Sequence, residues 1–200
     1  MTILESPTKP ELTECNRIIS MFDRHHVPFR TWGIQSPLSF EDFLEAHQDE
    51  QIRLVEDGGK LHIEVRSVKV VIQYMDHGTL RELYENHQLW PRESGITIPR
   101  NFRGISKTLL RGENILDAAR RALAVEPGYS EPGFRDPQNY ALEHIVAEQG
   151  ELQKSEKWPG LMAKYHWEVF YGEIPEKLFR DKGYFQVQWN IGTYYRWKAV

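Results

Sequence analysis

The chain has 200 residues, of which 40% are hydrophobic and 27% charged, with six tryptophans and a formal net charge of −4. This composition excludes a disordered chain, which would have fewer aromatic residues and a larger net charge. The slight negative charge gives no electrostatic reason to expect nucleic-acid binding. We therefore expect a folded protein about one α/β domain in length, with a real hydrophobic core.

Cysteine content and hydropathy predict the compartment. The single cysteine, Cys15, cannot form an internal disulfide and belongs to no Cys-x-x-Cys metal motif. No window approaches the roughly 20 apolar residues of a membrane span, and the first residues lack the basic and apolar segments of a signal peptide. These features predict a cytoplasmic protein that does not interact with membranes.

Two helices are predicted near the N-terminus. Residues 11–26 place apolar side chains at helical spacing. Ser39 precedes a second helical stretch, with Asp42 three residues later, and this spacing is typical of a capping box. We expect residues 1–55 to form an N-terminal helical extension and residues 56–200 to form the main domain.

The middle of the chain is predicted to form β-strands. In residues 52–75, β-branched side chains flank the turn sequence 57–59, Asp-Gly-Gly, which predicts a β-hairpin. Residues 79–90 fit either a helix or a strand, and we favour a strand for 81–85. Residues 99–107 are then predicted to form a loop.

The remaining elements are predicted from their periodicity. A helix should begin near Glu113, because apolar side chains recur on one face until Pro127-Gly128 interrupts the pattern. A further helix is predicted over 136–149. Together with the hairpin, these elements predict an α/β fold with a mixed β-sheet. Further strands are predicted over 165–174, 184–189 and 193–200.

The most specific pattern in the chain is RGENILDAARRALAVEPGY, residues 111–129. It resembles the signature helix of the Nudix superfamily, with the similarity beginning near residue 104. That family pattern is a glycine, five residues, a glutamate, seven residues, and then Arg-Glu-aliphatic-any-Glu-Glu-any-Gly-aliphatic. The residues that match are Glu113, Arg121, Leu123, Glu126 and Gly128.

Three positions depart from the family pattern. Lys107 stands where the opening glycine is expected, and the nearest upstream glycine is Gly104. Ala122 replaces the glutamate that follows the arginine, and Val125 replaces the first of the paired glutamates. The resemblance therefore implies a Nudix-type α/β/α sandwich with a degenerate catalytic box.

The resemblance implies a Mg²⁺- or Mn²⁺-dependent site on this helix, where three glutamates at i, i+3 and i+4 share one face. Only Glu126 remains of the three, so hydrolysis should be weak or lost. Glu113 and Glu126 are the candidate catalytic and metal-binding residues. Alternatively, Glu113 only complements the helix dipole, and the two replaced positions are buried against the sheet. Candidate substitute ligands are Glu131, Glu143 and Glu173.

Basic residues around the helix are candidates for binding a ligand phosphate. Four of them precede the helix, where the helix N-terminus also attracts anions, and one lies on it. The alternative interpretation is a solvated, charged loop. The five residues are Arg100, Arg103, Lys107, Arg111 and Arg121.

Three functions remain open from the sequence. The first is a degenerate Nudix domain that binds a phosphate-bearing or nucleotide ligand in a regulatory role. The second is a divergent Mg²⁺-dependent hydrolase of a nucleoside diphosphate derivative. The third is a protein-interaction module or homodimer in which side chains fill the cleft.

Overall fold

The computed structural model describes residues 9–34, 36, 38–90, 96–155, 157–188 and 191–200. The chain divides into two compact units. One consists of the residues up to Val65 together with Gly150–Tyr165, and the other of Arg66–Gln149 and His166–Val200. Residue 55 lies within a β-strand, and the N-terminal segment of the first unit ends at Val65. The domain boundary after residue 55 stays a prediction.

In chain order, the helices are α1 (Lys9–Arg24), α2 (Phe40–Gln48) and α3 (Ile115–Val125). The first five strands are β1 (Ile52–Asp57), β2 (Lys60–Asp76), β3 (Thr79–Trp90), β4 (Ile96–Arg103) and β5 (Ile105–Thr108). The last five are β6 (Ala141–Gln149), β7 (Gln153–Lys154), β8 (Met162–Glu173), β9 (Tyr184–Gln188) and β10 (Ile191–Ala199).

The first unit contains the two predicted helices and the part of the predicted hairpin up to Val65. The Ser39 hydroxyl accepts a hydrogen bond from the Asp42 N–H at 3.2 Å, and the Asp42 carboxylate accepts one from the Ser39 N–H at 2.6 Å, which confirms the capping box. Phe22 and Phe43 are fully buried, with ring centroids 5.1 Å apart. Strand β1 pairs antiparallel with β2 around Gly58-Gly59, as the turn sequence predicts.

The second unit contains a mixed sheet in the order β6-β8-β2-β3-β10-β9, with β4 paired to β3 and β5 paired to β2. The Ile174 N–H donates to the Gln73 carbonyl, and Gly172 lies beside Val70, so β8 runs in the same direction as β2. The other pairs are antiparallel where their register is defined. The predicted α/β fold with a mixed sheet is confirmed.

Helix α3 covers one face of this sheet. Val68, Val70 and Ile72 alternate along β2 and are fully buried in the core cluster that contains the helix. Ala118 and Ala119 are also fully buried there. Small side chains bring the helix close to the strands, so polar groups at its ends come near residues that project from the sheet.

The helix predicted over 136–149 is wrong. Asp136 caps a short 3-10 turn, and the residues after it form β6, which pairs with β8. The register shifts between His144 and Val146, so the two-residue alternation of this strand is interrupted and its apolar residues acquire a spacing that resembles a helix. Pairing with β8 and the β-branched Ile145 and Val146 favour the extended conformation.

The loop predicted over 99–107 is also wrong, because these residues lie mostly in β4 and β5. The two strands meet at Gly104, whose φ is +78° and whose N–H donates to the Leu83 carbonyl at 2.8 Å. An added Cβ at this position would clash with the Val70 carbonyl oxygen. Glycine therefore allows the chain to pass from pairing with β3 to pairing with β2.

Other predicted strands are confirmed. Residues 79–90 form β3, including the favoured stretch 81–85, and the C-terminal strands appear as β8, β9 and β10. Trp189, the last residue of the strand predicted over 184–189, lies outside the described residues. Among the helices of the described residues, none is long and apolar enough to cross a membrane.

Candidate functional site

Helix α3 forms the framework of the candidate site in the second unit. The Asn114 side chain accepts a hydrogen bond from the Leu116 N–H at 2.8 Å and begins the helix as its N-cap. Ala122 is fully buried in the core, and Val125 is half-buried. The helix ends at Val125, and the N–H of the C-cap residue Glu126 donates to the Ala122 carbonyl. This part of the motif thus combines core packing with one terminal carboxylate.

Glu113 is held by Arg121. The Arg121 guanidinium donates to both Glu113 carboxylate oxygens at 2.7 Å, and it also donates to the Thr108 carbonyl at 2.8 Å. The Leu110 N–H donates to the same carboxylate at 3.0 Å. The Arg121 guanidinium lowers the pKa of the Glu113 carboxyl below its usual value. These contacts join the residues before α3 to the helix, and Glu113 accepts hydrogen bonds through both oxygens.

Glu126 lies between a cation and a hydroxyl. Its Oε1 forms an ion pair with the Lys107 ammonium, and its Oε2 accepts a hydrogen bond from the Tyr195 hydroxyl at 2.6 Å. The side chain of Glu126 is only 12% exposed. Burial, with the neighbouring negative charge of Glu126, raises the pKa of the Tyr195 hydroxyl well above its usual value. Tyr195 is therefore protonated at neutral pH and remains a hydrogen-bond donor.

The candidate phosphate-binding cations are separated by the sheet. Lys107 reaches Glu126 on the α3 side, because it pairs across the strands with the inward-facing Val68. Arg103 instead reaches Glu82, the neighbour of the core residue Leu83, on the opposite face. These two cations cannot bind the same phosphate.

Each of these strand cations has a carboxylate partner. The Arg103 guanidinium donates twice to Glu82 at 2.6 Å and once to the Tyr171 hydroxyl at 2.7 Å. Arg100 donates to Glu85 at 3.0 Å. Arg111 is exposed in the segment that precedes α3. The expected row of four cations on one loop is thus replaced, for Arg100, Arg103 and Lys107, by separate ion pairs on two strands.

Sequence reasoning missed the partners of these cations. Glu82 and Glu85 are 1% and 9% exposed, and Glu82 lies next to the fully buried Leu83 on the same strand. Tyr195, in the strand predicted over 193–200, is 2% exposed. The available signal was its hydroxyl, because a buried tyrosine usually finds a hydrogen-bond partner.

The candidate substitute acids do not join Glu126. Glu131 forms an ion pair with Arg180 at 2.6 Å, whereas Glu143 and Glu173 are exposed on β6 and β8. Within the described residues, no group of three or more His, Cys, Asp or Glu side chains is arranged to hold a metal ion.

The divalent metal that the motif implies does not fit the residues that remain. Mg²⁺ requires near-octahedral oxygen ligation, usually with one or two carboxylates and substrate phosphates. The helix supplies the Glu126 carboxylate, and an ammonium and a hydroxyl already contact its two oxygens. The carboxylate of Glu113 is likewise engaged by Arg121. Mg²⁺ or Mn²⁺ binding therefore stays a prediction of the hydrolase alternative.

The buried ion pairs predict acid sensitivity. Arg103 lowers the pKa of the Glu82 carboxyl, as Arg121 lowers that of Glu113. A lowered folded-state pKa stabilises the protein above the unfolded-state pKa of about 4.3, and this contribution is lost as pH falls through the folded-state values. Urea unfolding should therefore give a stability plateau above about pH 5 and a decline below about pH 4. The same stability at about pH 6 and about pH 3 would contradict the prediction.

Comparison with known proteins identifies distant structural neighbours. No family model matches the chain, and no curated protein matches it. Similar solved structures include an Ap4A hydrolase of C. elegans, with 13% identity, a TM-score of 0.37, and coverage of 67% of this chain and 79% of that one. Another is the Nudix domain of Shewanella oneidensis NrtR complexed with ADP ribose, with 11% identity, a TM-score of 0.40 and coverage of 68% and 73%. A third is RenU, a Nudix hydrolase from M. smegmatis, with 11% identity, a TM-score of 0.38 and coverage of 73% and 78%.

Two of these three neighbours are Nudix proteins by name. Because the identities and TM-scores are low, any functional conclusion depends on the contacts within this chain.

Proposed function

We propose that this chain is a Nudix-type protein whose helix site has lost metal-dependent hydrolysis and which binds a phosphate-bearing, nucleotide-type ligand in a regulatory role. The observation that carries the proposal is that the carboxylates needed to bind a metal ion are either replaced or paired with other side chains. Glu113 is held by Arg121, Ala122 and Val125 occupy two ligand positions of the motif, and only Glu126 remains.

The loss of metal ligands has a large kinetic consequence. A bound divalent cation stabilises the charge that develops during phosphoanhydride cleavage by several kcal/mol. Since each 1.36 kcal/mol corresponds to a tenfold change in rate, a loss of about 4 kcal/mol lowers the rate about a thousandfold. Residual turnover would be far below that of an enzyme with the full set of glutamates.

The ligand class is supported by the cations on the α3 side. Lys107 and Arg100 lie on strands β5 and β4, and exposed Arg111 lies between β5 and the helix. A ligand phosphate would join Glu126 or Glu85 as a second partner of the cation, through charge-assisted hydrogen bonds. Arg103 is not part of this proposal, because it faces the other side of the sheet.

Two assays test the proposal on the purified protein with a panel of nucleoside diphosphate derivatives. We expect no phosphate-containing product above background with Mg²⁺ or Mn²⁺, and a ligand-dependent rise in Tm that persists in EDTA. An Arg111→Gln variant should show a smaller rise, whereas Arg53→Gln, which removes an exposed cation in the first unit, should respond like the wild type. Metal-dependent product that disappears in Glu126→Gln would instead support the hydrolase alternative.

A second candidate, a homodimer or interaction module with a filled cleft, is favoured by two features. The polar groups around α3 already bind one another, and strand β9 exposes Phe185 and Val187 by 41% and 56%. If no ligand raises the Tm and light scattering shows a stable dimer, this candidate replaces the first. The cytoplasmic location stays a prediction under both.

A further inference from the structure

Lys107 and Glu126 occupy informative positions of the motif. Lys107 stands on β5 in place of the opening glycine of the family pattern, and Glu126 is the last of the clustered glutamates. In the structure, the Lys107 ammonium forms an ion pair with the Glu126 carboxylate, and the two side chains are only 18% and 12% exposed. The departure at residue 107 thus supplies a cation next to the one glutamate that remains.

A carboxylate as buried as Glu126 requires compensation. Removing an ionised carboxylate from water is strongly unfavourable unless an opposite charge and hydrogen bonds replace the water. Lys107 supplies the opposite charge at Oε1, and the Tyr195 hydroxyl supplies a hydrogen bond at Oε2. The charges of Lys107 and Glu126 cancel without a metal ion.

We propose that Lys107 is the built-in cation of this site, with its ammonium taking the place of a divalent metal ion as the counter-charge of Glu126. This inference rests on the proposed function and deepens it, because a ligand phosphate would then meet an ammonium in place of a metal. A phosphate bound there needs no divalent ion, and a divalent ion that reaches Glu126 is repelled by the neighbouring positive charge.

The pair also differs chemically from a metal site. A lysine ammonium donates three hydrogen bonds and accepts none, so it can orient a phosphate oxygen but does not ligate a water molecule as a Lewis acid would. The geometry therefore allows anion binding and gives no route to metal-activated water. The Lys107–Glu126 ion pair then accounts both for the loss of hydrolysis and for phosphate binding that needs no metal ion.

A charge reversal tests the role of Lys107, with Mn²⁺ alone as the probe. The Tm of the wild type should not respond to millimolar Mn²⁺. In Lys107→Glu, two carboxylates face each other, so the Tm should fall by several degrees without metal and recover substantially when Mn²⁺ is added. The matched control, Lys107→Glu with Glu126→Gln, should lose this recovery, because it has one carboxylate in place of two.

A second measurement keeps the inference testable if the charge reversal prevents folding. Lys107→Gln should melt well below the wild type because Glu126 loses its counter-charge, and adding Glu126→Gln should restore part of the loss. Strictly additive effects in this double-mutant cycle would overturn the inference. So would calorimetric binding of Mn²⁺ to the wild type that Glu126→Gln abolishes. Both results are obtained without any nucleotide, so they are distinct from a failure of the proposed function, which appears as turnover or as absence of ligand binding.

Discussion

Replacing Arg103 with methionine should lower the free energy of unfolding by about 3 kcal/mol, because the substitution leaves the buried Glu82 carboxylate without its cation. Glu82 is 1% exposed and receives two hydrogen bonds of 2.6 Å from Arg103. The Gln73 amide, 3.0 Å from the same carboxylate, is a neutral donor and cannot replace the charge. Urea unfolding at neutral pH measures the loss.

Two further variants separate charge pairing from general disruption. Arg120→Met removes an arginine of the same unit whose ion pair with Asp117 is largely exposed, so it should cost less than about 0.5 kcal/mol. Adding Glu82→Gln to Arg103→Met should recover much of the stability, because the buried charge is then absent. An Arg103→Met variant as stable as Arg120→Met would contradict the prediction, because it would show that the ion pair with Glu82 contributes little to the free energy of unfolding.

Replacing Gly104 with alanine should destabilise the second unit by about 4 kcal/mol, since two costs combine at this residue. Its φ of +78° disfavours any side chain by about 1–2 kcal/mol. In addition, the new Cβ would clash with the carbonyl oxygen of Val70, which is fully buried backbone in the central strand β2. Thermal or urea unfolding would detect the loss, with a lower Tm and an unchanged dependence on denaturant.

Gly78→Ala is the matched control for this substitution. Gly78 has a similar φ of +84°, but an added Cβ there would meet no atom within 4 Å. This variant should cost only the conformational strain, about 1–2 kcal/mol. Equal losses in the two variants would mean that the passage from β4 to β5 tolerates a side chain and that Gly104 is not required by its close approach to β2.

Two ion pairs bear on the family resemblance: one joins two residues that match the motif, and the other includes a residue that departs from it. The ion pair of Glu113 with Arg121 shows that two matching residues of the motif contact each other and connect the segment before α3 to the helix. The ion pair of Glu126 with Lys107 shows that a residue outside the pattern can meet the one carboxylate that remains. A motif can therefore keep the ion pair that connects its helix to the preceding segment while its metal-binding positions change.

Local features of the fold could be predicted because their causes lie within a few residues. The capping box at Ser39 and the turn at Gly58-Gly59 depend on side-chain hydrogen bonding and backbone freedom over two to four positions. Helix α3 was predicted from apolar spacing that its burial confirms. Strand β6 was missed because a register shift disturbs the alternation that identifies a strand.

By itself, the sequence determined the α/β class, the position of the helix that carries the motif, and how many of the motif's clustered glutamates remain. Only the tertiary structure decided which charges meet. Arg103 lies 21 residues from Glu82 along the chain, and Tyr195 lies 69 residues from Glu126, yet each pair is joined by a short hydrogen bond. Strand register and sheet face set these encounters, because neighbouring residues of a strand point to opposite sides. A row of cations in the sequence thus becomes separate ion pairs on two faces of one sheet.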